Sequence, residues 1–149
     1  MYEIDLSTLL LVGINDLSTK VVDYDGEVII NDNARNIINR SCQFFGSSLR
    51  ERLNFTKRLI NISNKSPIFI EETKNIIFFP LRSTREKMNT WVSFNNLISY
   101  EQVGRKTLLK FKYNKEILVD YSYYIIDNQI TRCMMLDYTV KKRRESLQK

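Results

Sequence analysis

The sequence predicts an α+β fold, a single domain with mostly antiparallel sheet and about three helices. Three observations carry that reading. Turn signals separate short apolar runs at Asp25-Gly26, Glu72 to Asn75 and Asn114-Lys115, as hairpins require. Two stretches, Ala34 to Cys42 and Leu49 to Ile60, instead space their apolar residues three and four apart. The length, 149 residues, suits one domain that buries roughly 70% of its unfolded surface without disulfide or metal.

Taken in order, Thr8 to Ile14 reads as a buried strand. Thr19 to Asp23 and Glu27 to Asn31 form a hairpin around Tyr24-Asp25-Gly26. Asp32 or Asn33 caps a first helix with Ala34, Ile37, Ile38 and Cys42 on one face. This helix runs into Phe44-Phe-Gly-Ser-Ser48. There both phenylalanines are expected to bury, and Gly46 to take a backbone angle denied to other residues. A serine then caps the second helix, Leu49 to Ile60. Leu49, Leu53, Thr56 and Ile60 share one side of it, and Arg50, Arg52, Lys57 and Arg58 occupy the rest.

The second half is strand-rich. Pro67 to Glu71 and Ile76 to Phe79 make a hairpin that Pro80 ends, since proline cannot donate to a ladder. Leu81 to Thr90 is a loop holding Arg82, Arg85 and Lys87, and Trp91 to Phe94 is extended again. Thr107 to Tyr113 pairs with Glu116 to Asp120 across Asn114-Lys115, with Asn114 accepting a left-handed conformation. Ser122 caps a last helix, Tyr123 to Leu136, striped by Tyr123, Ile126, Ile130 and Cys133 or Met134. Residues 138–149, with the run Lys141 to Arg144, read as a basic frayed tail.

Charge is unevenly divided. Residues 1–39 hold two bases against seven acids, a net of −5, whereas residues 40–149 carry +11 and bring the chain to +6. A basic body points to a polyanionic partner; the alternative is a solvated surface with none. The chain has no histidine, which removes the commonest general base and most zinc sites. Two distant cysteines, Cys42 and Cys133, are expected to be reduced and buried, and the four glycines never cluster into a phosphate-cradling loop. The expectation is therefore a non-enzyme without metal or cofactor. No stretch reaches the ~20 apolar residues of a membrane span, and the apolar run Leu9 to Val12 is too short for a signal-peptide core. This predicts a cytoplasmic protein that does not enter membranes.

Each constellation has two readings. The Leu81–Thr90 loop either enters a nucleic-acid groove or merely solvates its arginines. The second helix either lies on phosphates or is an ordinary amphipathic surface helix. Trp91 and the phenylalanine pairs either stack on bases or form core. The Cys42–Ser48 turn either contacts a ligand or seats the helix after it. Lys141 to Arg144 is either a solvated end or a source of non-specific phosphate affinity.

Three segments lie in register with a known family: Arg40-Ser-Cys-Gln-Phe-Phe-Gly-Ser-Ser48, Ile77-Phe-Phe-Pro-Leu-Arg-Ser-Thr-Arg85 and Thr90-Trp-Val-Ser93. Over roughly residues 8–138 the chain resembles the competence transcription factors of Gram-positive bacteria, the ComK family. The resemblance implies a nucleoid-associated activator of competence (DNA-uptake) genes that works with RNA polymerase. It implies a homo-oligomer built from dimers, bound to double-stranded AT-rich DNA largely through the minor groove. Narrow AT-rich minor grooves attract inserted arginine, which makes Arg82 and Arg85 the expected probes, with Lys87 beside them. Arg50, Arg52, Lys57 and Arg58 are expected on the phosphate backbone, with Arg105 and Lys106 on the second hairpin as further candidates. Longer members carry a C-terminal tail tied to proteolysis through an adaptor protein. About a dozen residues follow Leu136 here, so the resemblance implies a short member lacking most of that tail. The alternative is a shortened paralogue that modulates a full-length regulator through protein contacts.

Overall fold

A computed structural model describes residues 2–147. Nine strands and three α-helices build one α+β domain around a six-stranded antiparallel sheet. The strands are β1 (Thr8–Asn15), β2 (Ser18–Asp23), β3 (Gly26–Ile30), β4 (Ile68–Glu71), β5 (Ile76–Pro80) and β6 (Thr90–Ser93). Their order is β3-β2-β1-β6-β5-β4, so the N-terminal meander and the β4–β5 hairpin join through the pairing of β1 with β6. A second sheet comprises β7 (Leu97–Val103), β8 (Lys106–Phe111) and β9 (Lys115–Val119).

Side chains alternate across a strand, so the large sheet buries both faces. One face gathers Leu11, Val21, Ile68, Phe78 and Trp91 under α1 (Ala34–Phe44), which contributes Ala34, Ile37, Ile38 and Cys42. The other gathers Leu10, Val22, Phe79 and Val92 against Leu109, Phe111 and Val119 of the small sheet. Into that second core α3 (Tyr123–Leu147) inserts Ile126, Cys133, Leu136 and Val140. The helix α2 (Leu49–Ile60) packs on the edge strand β4 and on both other helices.

Local chemistry sets the boundaries. Asn33 caps α1 by accepting from the Asn36 amide at 2.9 Å, and Ser48 caps α2 by accepting from the Glu51 amide at 3.1 Å. Gly46, at φ +85°, makes the turn between the two helices, which fits the structural reading of that motif. Trp91, Phe78 and Phe79 are fully buried core.

Four expectations need correction. Phe44 is 65% exposed. The buried stripe of α1 runs through Ile37, Ile38, Ser41 and Cys42, and Phe44 falls off it, resting edge-on against half-buried Phe45 at 5.0 Å. Strand β7 had no counterpart in the sequence reading; it pairs with β8 across Gly104-Arg105. The β8–β9 connection is a 3-10 turn over Lys112–Asn114, with both Tyr113 and Asn114 left-handed, rather than a turn at Asn114-Lys115. The last helix does not end at Leu136 but continues to Leu147. Residues 138–147 are therefore helical, and positions 148 and 149 lie outside the described residues. Its buried stripe is Ile126, Gln129, Cys133, Leu136 and Val140; Met134 faces outward.

Candidate nucleic-acid interface

The loop between β5 and β6 is held in shape by one buried side chain. Asn89 accepts from the amides of Arg82 (3.1 Å) and Thr90 (2.8 Å), and donates to the carbonyls of Arg82 (3.1 Å) and Ser83 (3.0 Å). From outside, the Gly13 amide of β1 donates to the Asn89 carbonyl at 2.9 Å. A β-carbon on Gly13 would lie 2.7 Å from the Asn89 nitrogen and 2.8 Å from Met88 Cγ, so only glycine permits this approach. The Arg35 Nε donates to the Thr84 carbonyl at 3.2 Å and ties the loop to the start of α1.

The three basic residues of this loop differ in commitment. Arg82 pairs with Glu86 at 2.8 Å; that contact, with the Tyr121 phenol next, raises the pKa of its guanidinium. Arg85 and Lys87 are exposed, and among the described residues neither has an ion pair or side-chain hydrogen bond.

Because every strand of the large sheet is antiparallel to its neighbours, its connections sort to two ends. The end that carries the β5–β6 loop also carries the β1–β2 turn and the N-terminus of α1. The close of α2 lies there too: Thr56 donates to the Pro67 carbonyl (2.7 Å) just before β4, and Gln129 of α3 donates both to the Lys65 carbonyl (2.8 Å) and to the Pro80 carbonyl (2.6 Å). The β7–β8 turn, with exposed Arg105 and Lys106, joins them. Thr107 donates to the Tyr121 carbonyl at 2.8 Å, and Tyr121 stands beside Arg82.

One end of the molecule thus brings together Arg82, Arg85, Lys87, Arg105 and Lys106, with Lys57 on the last turn of α2; Arg58 of the same turn instead lies over the Phe55 ring, 5.8 Å from its centroid, in a groove lined by Ser47, Glu51 and Arg52. Arg35 belongs to this group and was missed by sequence reasoning: it is 49 positions from Thr84, and only the fold makes them neighbours. The expected basic face of α2 divides. Arg50 starts the helix at the far end, about 12 Å along the axis from Arg58 at 1.5 Å per residue. Arg52 turns inward, half-buried, toward Glu72 at 3.9 Å. Arg50 and Arg52 are therefore not part of the clustered surface.

The core placement of Trp91, Phe78 and Phe79 leaves this end without an aromatic platform from those residues. Both thiols are buried as well: desolvation pushes Cys42 up to about 12 and Cys133 well above the ordinary thiol value. No group of histidine, cysteine and carboxylate side chains among the described residues could hold a metal ion. No described helix is long and apolar enough to cross a membrane.

Fold and surface together describe a single-domain α+β protein with a braced, cation-rich end and with Trp91, Phe78 and Phe79 held in the core. The ComK protein family matches residues 1–145, and the chain belongs to that family. It is 28% identical over 138 residues to a competence transcription factor of Bacillus subtilis (strain 168), a match covering 87% of this chain and 72% of that relative. No solved structure matches.

Proposed function

We propose that this chain regulates transcription of competence genes by binding double-stranded, AT-rich DNA with its cation-rich end. The observation that carries the reading is the clustering, at one end of the sheet, of Arg85, Lys87, Arg105 and Lys106, four exposed cations from two separate turns. Exposed cations without partners neutralise phosphate at little desolvation cost, and this supplies the sequence-independent part of DNA affinity. A short loop fixed by Asn89 and Gly13 presents Arg85 with its backbone already ordered, which suits insertion into a narrow, strongly negative minor groove. Burial of Trp91 and the Phe78–Phe79 pair favours a duplex over a single strand, which would be held by stacking; Phe44, the one exposed member of the phenylalanine pairs, is at the C-terminal end of α1, opposite the end that meets the basic loop. Membership of the ComK family, and similarity to a protein named as a competence transcription factor, support the same reading.

Mobility-shift titrations on AT-rich and GC-rich duplexes at two salt concentrations test it. The wild type should prefer the AT-rich duplex, and its log affinity should fall by roughly 0.9 per neutralised phosphate for each decade of salt. Arg85→Ala with Lys87→Ala should reduce both affinity and AT preference. Arg50→Ala, at the far end of α2, should leave both nearly unchanged. Duplex affinity insensitive to salt would remove DNA as the partner. If Arg50→Ala had the larger effect, the DNA surface would have to be sought at the other end.

A further inference from the structure

Arg52 of α2 is a buried charge short of partners. Its side chain is 13% exposed, the Glu72 carboxylate stands 3.9 Å away, beyond hydrogen-bond reach, and its Nε is buried with no acceptor among the described residues. A cation withdrawn from water to this extent is ordinarily paired and hydrogen-bonded. Arg52 also lines a polar hollow of about 340 Å³ with Ser47, Glu51, Asn54 and Arg58. Phe55 walls this hollow and a second of about 200 Å³, whose other sides are Glu72, Val140, Arg143, Arg144 and Leu147. Two of the guanidinium groups around Phe55 are held in place. Arg58 lies over its ring, 5.8 Å from the centroid, and Arg144 donates to the Glu72 carbonyl at 2.8 Å.

We propose that this groove, between α2 and the end of α3, binds a small molecule carrying a phosphoryl group. Guanidinium presents a planar fork of donors that matches phosphate oxygens in pairs, and every cation lining the two hollows is an arginine. Arg52, Arg58, Arg143 and Arg144 face the carboxylates of Glu51 and Glu72, four charges against two, which leaves a net of +2. A phosphoryl dianion neutralises that charge. Its oxygens supply Arg52 with the acceptors that Glu72 does not reach, and Ser47 and Asn54 add neutral donors. Phe55, Val140 and Leu147 offer an apolar wall to the organic part of the ligand. A duplex backbone suits the groove less well. It carries single charges in a continuous row, and exposed Glu51 repels the neighbouring phosphates.

Nuclear magnetic resonance titration of the full chain with adenosine monophosphate tests the site, read at the arginine Nε–H signals. The nucleotide should shift the Arg52 and Arg58 signals in a saturable way at pH 7.5. Affinity should fall at least threefold at pH 5.5, where the phosphoryl group takes up a proton near its second pKa of about 6. The chain has no histidine, so the ligand is the group that titrates across that interval. Arg58→Gln, on an exposed residue, should raise the nucleotide Kd at least fivefold with unchanged far-ultraviolet circular dichroism. Arg52→Gln should do the same, and Arg85→Ala with Lys87→Ala should leave that Kd within twofold. Absence of saturable shifts at millimolar nucleotide would overturn the proposal. So would a nucleotide Kd that responds to the Arg85 and Lys87 pair but not to Arg58. If Arg58→Gln weakened duplex DNA by the same factor as the nucleotide, the groove would belong to the nucleic-acid backbone and the small-molecule assignment would fall.

Discussion

Gly13→Ala is the most informative single change in this chain, because it adds one methyl group at the contact that braces the basic loop. The new β-carbon would lie 2.7 Å from the Asn89 nitrogen and 3.0 Å from its carbonyl oxygen, both backbone atoms that cannot rotate aside. Met88 Cγ, at 2.8 Å, could swing away; the strand-like backbone of Asn89 could not without moving the loop. Overpacking of this kind costs about 1–3 kcal/mol. Displacing Asn89 also breaks the Gly13 to Asn89 hydrogen bond, worth about 0.5–1.5 kcal/mol. Replacing glycine returns about 0.4–1 kcal/mol through the unfolded chain. The net is a loss of about 1–3 kcal/mol, or roughly 3–10 °C in Tm for a domain of this size. Calorimetry on the variant should show that fall. A duplex titration at fixed salt should show AT preference reduced more than total affinity, since the loop moves while its charges remain. If Gly13→Ala left Tm within about 1 °C of wild type, the strand does not brace the loop.

Three further outcomes are expected. Gly46→Val should destabilise the domain by more than about 1 kcal/mol in thermal melts, because φ +85° strains a branched side chain even where space is open; unchanged stability would refute the turn reading. Cys42 and Cys133 should resist alkylation at pH 8 in the native protein and react after urea unfolding, since burial raises both thiols; fast native labelling would show that one core opens. Burial alone would raise Asp32, but hydrogen bonds from Arg40, Asn36 and the Asn33 amide outweigh it and hold its pKa below the ordinary carboxylate value. Its stabilising contribution is therefore complete above that ordinary value and is lost as pH falls through the lower folded one. Asp32→Asn should flatten the decline of Tm below about pH 4, and an unaltered slope would contradict the assignment.

Much of the fold was legible because local chemistry and tertiary structure agree. Asn33 and Ser48 cap the helices their sequence marks, and Tyr24-Asp25-Gly26 turns between β2 and β3. The misses share a cause, namely information held elsewhere in the chain. Leu97 to Val103 shows no clean alternation, because a register shift between Leu97 and Ser99 breaks its phase and most of its residues are exposed. The run Lys141 to Arg144 masked the end of α3, although Val140 continues the stripe of Cys133 and Leu136 and Arg144 reaches the Glu72 carbonyl at 2.8 Å. At the candidate interface, Arg82, Arg85 and Lys87 stood out as bases on a loop. The kinship of Arg35 with them, the inward turn of Arg52 and the service of Gly13 each depend on a contact spanning 20 to 76 residues, which periodicity does not encode.

The chain's single tryptophan gives it a built-in optical reporter with a sharply limited meaning. Trp91 is fully buried between the large sheet and α1, and its indole N–H has no hydrogen-bond partner among the described residues. Such an indole emits at the blue end of its range and is shielded from iodide. Ligand arriving at exposed cations leaves that environment intact, whereas unfolding transfers the ring to water and shifts the emission to the red. Intrinsic fluorescence therefore measures the folded fraction of this protein, and binding has to be followed by a dye placed on the nucleic acid.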